Sequence, residues 1–96
     1  MAFVQIIDFH TSDPDGIRKT DEEWFAATEG KRTLRRDIVT RDRNDPSHYI
    51  VMAFFDSYES AMENSQLPET QTSAERYAAL CEGVSFLDLD VIEERP

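Results

Sequence analysis

Residues 63–80 read Glu-Asn-Ser-Gln-Leu-Pro-Glu-Thr-Gln-Thr-Ser-Ala-Glu-Arg-Tyr-Ala-Ala-Leu and lie between two segments with the apolar character of strands. The segment before them, residues 48–55 (His-Tyr-Ile-Val-Met-Ala-Phe-Phe), is apolar on both faces, as is typical of a central strand. Pro68 suits the first turn of a helix. The stretch therefore predicts a helical layer on one side of a sheet whose other side also needs a cover.

Three further strands can be assigned from alternation and apolar content. Residues 2–9 are apolar on both faces and predict a second central strand. Residues 32–43 alternate unevenly and are rich in arginine, which indicates an edge strand. Residues 84–93 predict the last strand, and its inward residues are predicted to be Leu87, Leu89 and Val91.

Helix boundaries are marked by capping residues. Asp13 is a plausible N-cap with Pro14 at the first helical position, and this first helix is predicted to stop near Gly30.

The second helical region has two parts. Asp56, with Glu59 three residues later, resembles a capping box that opens a short helix through about Ser65. A second helix begins at Pro68 and is predicted to end at Gly83.

The order strand, helix, strand, strand, helix, strand is that of a ferredoxin-like α+β fold with sheet order 4-1-3-2. Residues 1–96 are predicted to form a single domain, with both helices on one face of the sheet. The opposite face of the central strands would expose large apolar side chains, so we expect a homodimer through that face.

Charge and cysteine content restrict the class of protein. The formal charge of −10 disfavours nucleic acid and anionic membranes as partners. Residues 31–43 run against this trend, with six basic and two acidic residues, which suits a polar edge strand or a surface for an anionic ligand. Cys81 is the only cysteine, as is typical of a reducing cytoplasm.

Several segments carry a family likeness. Tyr58-Glu-Ser-Ala-Met-Glu-Asn-Ser65, which leads into residues 67–76, resembles the dimeric α/β-barrel proteins, as do residues 3–7 and 26–30. Among them the chain is similar to the antibiotic biosynthesis monooxygenase-like group in its small actinobacterial members. The resemblance implies a dimeric α/β barrel with a pocket between the helices and the sheet.

Members of that group with known roles oxygenate aromatic polyketides without metal or flavin, degrade haem, or isomerise and cyclise small substrates. The resemblance implies that Asn64 and Tyr58 position substrate oxygens and that no cofactor is used. The tryptophan that such oxygenases carry near the asparagine has no counterpart here, since the chain's one tryptophan, Trp24, lies on the first helix. Haem-degrading members hold iron through a histidine in the second helical region, whereas no histidine follows His48 here.

The two histidines are predicted to meet at one end of the sheet. A register that pairs His10 with His48 would place Asp8, both histidines and Ile50 on one face. Such a cluster could serve as a general base near neutral pH or hold a metal, although solvated strand-end histidines are the commoner case. We expect no resident metal, because no zinc-ligand spacing is present in the sequence.

Other candidates have a structural explanation beside the functional one. Trp24 and Tyr77, like Tyr58, could stack on an aromatic substrate or fill the core, and Arg36 could pair with a substrate anion or lie solvated at an edge. The leading hypothesis is a cofactor-independent monooxygenase-like enzyme acting on an aromatic, polyketide-type molecule. The alternatives are a non-catalytic dimeric binding or accessory protein and a cyclase or isomerase of the same fold.

Overall fold

The computed structural model describes residues 2–96, so Met1, the first residue of the predicted domain, lies outside the described residues. The elements are β1 (Phe3–Thr11), α1 (Pro14–Ala27), β2 (Arg36–Arg41), β3 (His48–Phe55), α2 (Tyr58–Ser65), α3 (Pro68–Leu80) and β4 (Cys81–Asp90). The four strands form one antiparallel sheet in the order β2-β3-β1-β4. This is the predicted 4-1-3-2 order read from the other edge, and it confirms the ferredoxin-like α+β fold.

Strand register divides the sheet into two faces, because directly paired residues point to the same side. Phe3 pairs with Phe55 and Phe9 with Tyr49, and the phenylalanines of these pairs are buried. Ile17 of α1 packs in one cluster with Phe9, and Ala61 of α2 packs in the other with Phe3 and Phe55. We call this side the helix face.

The opposite side, which we call the open face, carries the other half of the strand residues. Its apolar members come from all four strands: Val4, Ile6, Ile38, Ile50, Met52, Phe54, Leu87 and Leu89. No described helix covers them, since the helices pack on the helix face. No helix among residues 2–96 is both long and apolar enough to cross a membrane.

The start of α1 follows the sequence prediction. The Asp13 carboxylate accepts a hydrogen bond from the backbone N–H of Gly16 at 3.0 Å, and Pro14 occupies the first helical position. The helix ends at Ala27, and Gly30 follows with a φ of 79°, a left-handed conformation that favours glycine.

The capping box of α2 differs from the predicted pair Asp56 and Glu59. The Ser57 hydroxyl accepts from the backbone N–H of Ser60, and the Ser60 hydroxyl accepts from the backbone N–H of Ser57. The prediction was wrong because the Asp56 carboxylate lies 2.6 Å from a guanidinium nitrogen of Arg35, which leaves the cap to the following serine.

The predicted helix end at Gly83 was also wrong. α3 ends at Leu80, and Cys81 is already extended and paired with Thr11 of β1. Gly83 has a φ of 62° and lies where the register between β1 and β4 shifts, so this glycine serves a β-bulge and not a helix cap.

Two strand predictions need correction. Leu87 and Leu89 were predicted to point inward, but they pair with residues of the open face and are 59% and 44% exposed. Alternation identified a common face for these leucines but not which side the helices cover. β2 spans only Arg36–Arg41, shorter than the predicted residues 32–43.

Candidate functional site

A cleft lies between α1 and the adjoining strands on the helix face. Its volume is about 370 Å³, within the range of small-molecule sites. It is lined by Thr11, Pro14, Ile17, Arg18, Asp21, Val39, Thr40, Arg41 and Tyr49. We call it the α1 cleft. Its walls combine apolar side chains with two arginines, Arg18 and Arg41, and one carboxylate, that of Asp21.

Asp21 is held by a tyrosine from the neighbouring helix. The hydroxyl of Tyr77 on α3 donates to Oδ1 of Asp21 at 2.6 Å. Burial raises the pKa of the Asp21 carboxyl above its usual value, although the hydrogen bond from Tyr77 acts in the opposite direction. Burial and the Asp21 charge together raise the pKa of Tyr77, so this tyrosine remains a hydrogen-bond donor.

A second carboxylate lies near this pair. Asp37 of β2 pairs with Ala53 and therefore points to the helix face. Burial, followed by repulsion from Asp21, raises the pKa of Asp37 to about 6. Two carboxylates from different elements thus share a partly desolvated region, an arrangement suited to proton transfer near neutral pH.

A second polar cluster lies at one end of the open face. β1 and β3 pair His10 with His48 and Asp8 with Ile50, as the sequence predicted. The two imidazole rings stack with centroids 4.5 Å apart. Nδ1 of His48 lies 3.0 Å from Oδ2 of Asp42, and Nε2 lies 2.8 Å from Oδ1 of Asp8. These hydrogen bonds, first that of Asp42, raise the pKa of His48.

Asn64 lies apart from both regions. Its side chain on α2 is buried, and Oδ1 accepts a hydrogen bond from the backbone N–H of Thr33 at 3.1 Å. Asn64 therefore ties the segment between α1 and β2 to α2. Tyr58, at the start of the same helix, is 49% exposed and packs edge-on against Phe3.

The other predicted residues are spread over both faces. The indole Nε1 of Trp24 donates to Oγ1 of Thr70 at 2.9 Å, beside a smaller cleft of about 160 Å³ between α1 and α3. Arg36 lies on the open face, with its guanidinium 5.6 Å from the centre of the Phe54 ring.

The structure thus brings some predicted residues together and separates others. His10 and His48 meet, and Tyr77 contacts Asp21 at the α1 cleft. Trp24, Tyr58 and Asn64, expected around one pocket, are absent from the lining of the α1 cleft.

Asp21 and Asp37 were missed by the sequence analysis. The spacing of each residue from an apolar neighbour could have indicated that it faces the interior. Asp21 lies four residues after Ile17 on α1, hence on the same side of the helix, and Asp37 has the strand parity of Val39. The sequence analysis gave neither residue a role.

Comparisons with known proteins give similarity in structure and not in sequence. No protein-family model matches the chain, and no curated protein sequence matches it. An asparagine-to-alanine variant of SnoaB, a cofactor-independent oxygenase from Streptomyces nogalater, is similar with a TM-score of 0.85 and 14% identity, over 99% of this chain and 97% of that one.

Two further structures are described as proposed antibiotic biosynthesis monooxygenases. The one from Caulobacter crescentus has a TM-score of 0.81 and 11% identity, over 96% of this chain and 91% of that one. The one from Nitrosomonas europaea has a TM-score of 0.79 and 10% identity, over 95% of this chain and 90% of that one. The chain therefore has the fold found in antibiotic biosynthesis monooxygenase-like proteins, over nearly its whole length.

Proposed function

We propose that the protein is a cofactor-independent, monooxygenase-like enzyme that acts on a small aromatic molecule bound in the α1 cleft. The observation that carries this proposal is the Asp21 carboxylate, which faces a cleft of about 370 Å³ and has a raised pKa. A carboxylate with a raised pKa is a stronger base than an ordinary one and can remove a proton from a weakly acidic substrate.

The reaction begins with removal of a proton from a carbon of a phenol-like substrate. Asp21 takes this proton, and the electron pair stays on the substrate as a carbanion conjugated with its ring. The carbanion adds to dioxygen and forms a carbon–oxygen bond, and the peroxide anion takes the proton back from Asp21. The carbon must carry a second hydrogen, and this hydrogen leaves with the outer hydroxyl of the hydroperoxide as water. A carbonyl group remains, so one oxygen atom of dioxygen enters the substrate and the other leaves as water.

The surrounding side chains have defined roles in this proposal. The hydrogen bond from Tyr77 fixes the orientation of the Asp21 carboxylate. Val39 and Tyr49 supply apolar surface on the strand side of the cleft, which suits an aromatic ring. His10 and His48, the bases expected from sequence, point to the opposite side of the sheet, which favours Asp21 for that role.

We also propose that the protein acts as a homodimer through the open face, in a reducing cytoplasm. Met52 and Phe54 lie in the middle of that face, and Leu87 and Leu89 at its edge are 59% and 44% exposed. A second copy supplies the same apolar surface, and the basic residues 31–43 complement the acidic remainder of the chain.

The test uses dithranol, a tricyclic hydroxyanthrone with an acidic carbon–hydrogen bond. We expect the protein to raise oxygen consumption and quinone formation above the rate in buffer, and Asp21→Asn to abolish the increase. Asp15→Asn is the matched control, because Asp15 is an exposed carboxylate on the same helix that forms a salt bridge with Arg18. Melting temperatures of both variants establish that the fold is retained.

The outcomes separate the three hypotheses. Binding of dithranol without turnover favours the accessory protein. Consumption of an enolisable substrate at the same rate with and without oxygen favours a cyclase or isomerase. Turnover that survives Asp21→Asn contradicts the proposed base.

A further inference from the structure

We propose that Asp8, His10 and His48 form a site for one zinc-class divalent metal ion at the end of the open face, with Asp42 orienting the His48 ring. One nitrogen from each imidazole and one carboxylate oxygen lie within 4.8 Å of one another. The site lies on the opposite side of the sheet from the α1 cleft and takes no part in the oxygenation proposed above.

The backbone places these ligands without help from a flexible loop. His10 and His48 are direct partners of two hydrogen-bonded central strands, and Asp8 is two residues before His10 on the same face. Bound zinc places its tetrahedral ligands about 3.3 Å apart and lies in the plane of each imidazole, so binding requires the His10 ring to rotate out of its stack on His48. Ligands on adjacent strands of a sheet hold a metal site more firmly than ligands on loops.

The hydrogen bonding of His48 provides the second argument. Both of its ring nitrogens face carboxylate oxygens, at 3.0 Å from Asp42 and at 2.8 Å from Asp8. A neutral imidazole has only one N–H, so one of these contacts would join two acceptors. A protonated imidazole donates to both carboxylates, and a metal ion that takes the place of the proton on Nε2 would leave Nδ1–H donating to Asp42.

This arrangement is the usual one around histidine ligands in metalloproteins. A metal-bound imidazole donates its other N–H to a carboxylate or carbonyl, which fixes the ring and makes the ligating nitrogen more basic. The His48 side chain is only 20% exposed, whereas that of Asp8 is 39% exposed and that of His10 is 45% exposed. The site is thus firm at His48 and accessible to an ion at the other two ligands.

The ligand types select the metal class. Two imidazoles and one carboxylate suit zinc, nickel or cobalt better than magnesium or calcium, which prefer oxygen ligands throughout. Asp45, with Oδ2 at 3.4 Å from Nε2 of His10, adds negative charge beside the site. Three protein ligands leave a fourth position of a tetrahedral zinc ion for water or Asp45.

The test measures zinc binding to tag-free, chelator-treated protein at pH 7.5 by titration calorimetry. The chain has two histidines and one cysteine, and Cys81→Ser serves as the background so that the thiol cannot contribute. We expect one zinc ion per chain with a micromolar or lower Kd. His10→Gln and His48→Gln should each weaken binding at least tenfold, and Asp42→Asn about tenfold.

Asp90→Asn removes a carboxylate remote from the site and should leave the Kd unchanged. Nitrogen-15 spectra of the unsubstituted protein test the geometry even if a variant fails to fold, since zinc should shift Nε2 of His48 while Nδ1 stays protonated. Millimolar binding, equal binding by the histidine variants, or no shift at Nε2 would overturn the proposal.

Discussion

The helix face and the open face of the sheet carry comparable apolar side chains but differ in how these are covered. On the helix face, Phe3 and Phe9 are almost completely buried beneath the helices. On the open face, Met52 and Phe54 remain partly exposed, and Leu87 is 59% exposed. Strand alternation therefore predicts two apolar faces, while the chain itself covers only one.

The polar groups of the two faces also differ. At the helix face, Asp21 and Asp37 are partly desolvated and form no salt bridge with any residue among 2–96, and burial is the main cause of their raised pKa values. At the open face, His48 lies between Asp8 and Asp42, and the charges there are paired. Unpaired desolvated acids suit proton removal, whereas a paired histidine cluster suits ion binding.

The largest expected difference concerns Phe9 and Phe54. Phe9→Ala removes a ring that stacks on Tyr49 at 5.7 Å and meets Tyr77 edge-on, so it should lower the free energy of unfolding by about 3–5 kcal/mol. Phe54→Ala should lower it less and through the dimer. Urea unfolding at two protein concentrations separates them, since only the Phe54→Ala effect depends on concentration. If Phe54→Ala lowered the free energy of unfolding by the same amount at both protein concentrations, its effect would not act through a dimer. The proposed difference between the two faces would then be contradicted.

A charge in the middle of the open face should break the dimer. Met52 pairs with Ile6 and Ile38, so Met52→Asp would bury an uncompensated carboxylate against a second copy. We expect association to weaken by about 2–4 kcal/mol. Sedimentation velocity should then show a monomer where the unsubstituted protein is a dimer. Ile92→Asp is the control, because Ile92 is 89% exposed. A dimer that persists in Met52→Asp contradicts the proposed interface.

The sequence predicted the fold well because the relevant signals are local. The order of elements, the central position of β1 and β3, and the pairing of His10 with His48 all follow from alternation and turn residues. Two boundary predictions were wrong because a cap residue serves another purpose in the folded chain. Asp56 pairs with Arg35 instead of capping α2, and Gly83 belongs to a bulge.

The α1 cleft could not be predicted from the sequence because it depends on contacts between distant elements. The residues implied by family resemblance, Asn64 and Tyr58, lie away from the α1 cleft. Asp21 becomes notable only when α3 brings Tyr77 within 2.6 Å, and no spacing in the sequence specifies that contact. A carboxylate of this kind can be recognised only from its contacts in the folded structure.

Asn64 offers a test of intermediate size. Asn64→Ala leaves the backbone N–H of Thr33 without its acceptor, so we expect a loss of about 1–3 kcal/mol in unfolding free energy. Asn44→Ala, at an exposed turn position, is the matched control and should cost less. If Asn64→Ala instead lowered dithranol turnover at unchanged stability, Asn64 would be a substrate-positioning residue, as the family resemblance implies.

The smallest expected effect is a pH dependence specific to Asp37. Its folded-state pKa of about 6 lies above the ordinary value of 3.8, so the folded protein binds this proton more tightly than the unfolded chain. The resulting stability is fully present below about pH 4 and is lost as the pH rises through about 6. Asp37→Asn removes this titration and should therefore gain stability relative to the unsubstituted protein as the pH rises from 4 to 7. Allowing for the partial exposure of Asp37, we expect a gain of about 1 kcal/mol in the free energy of unfolding, measured by urea unfolding across that range.

Asp90→Asn is the control for the loss of one exposed carboxylate on the same face. If the difference between Asp37→Asn and the unsubstituted protein did not vary with pH, Asp37 would be fully solvated, and the desolvated pair of carboxylates that supports Asp21 as a base would lose one member.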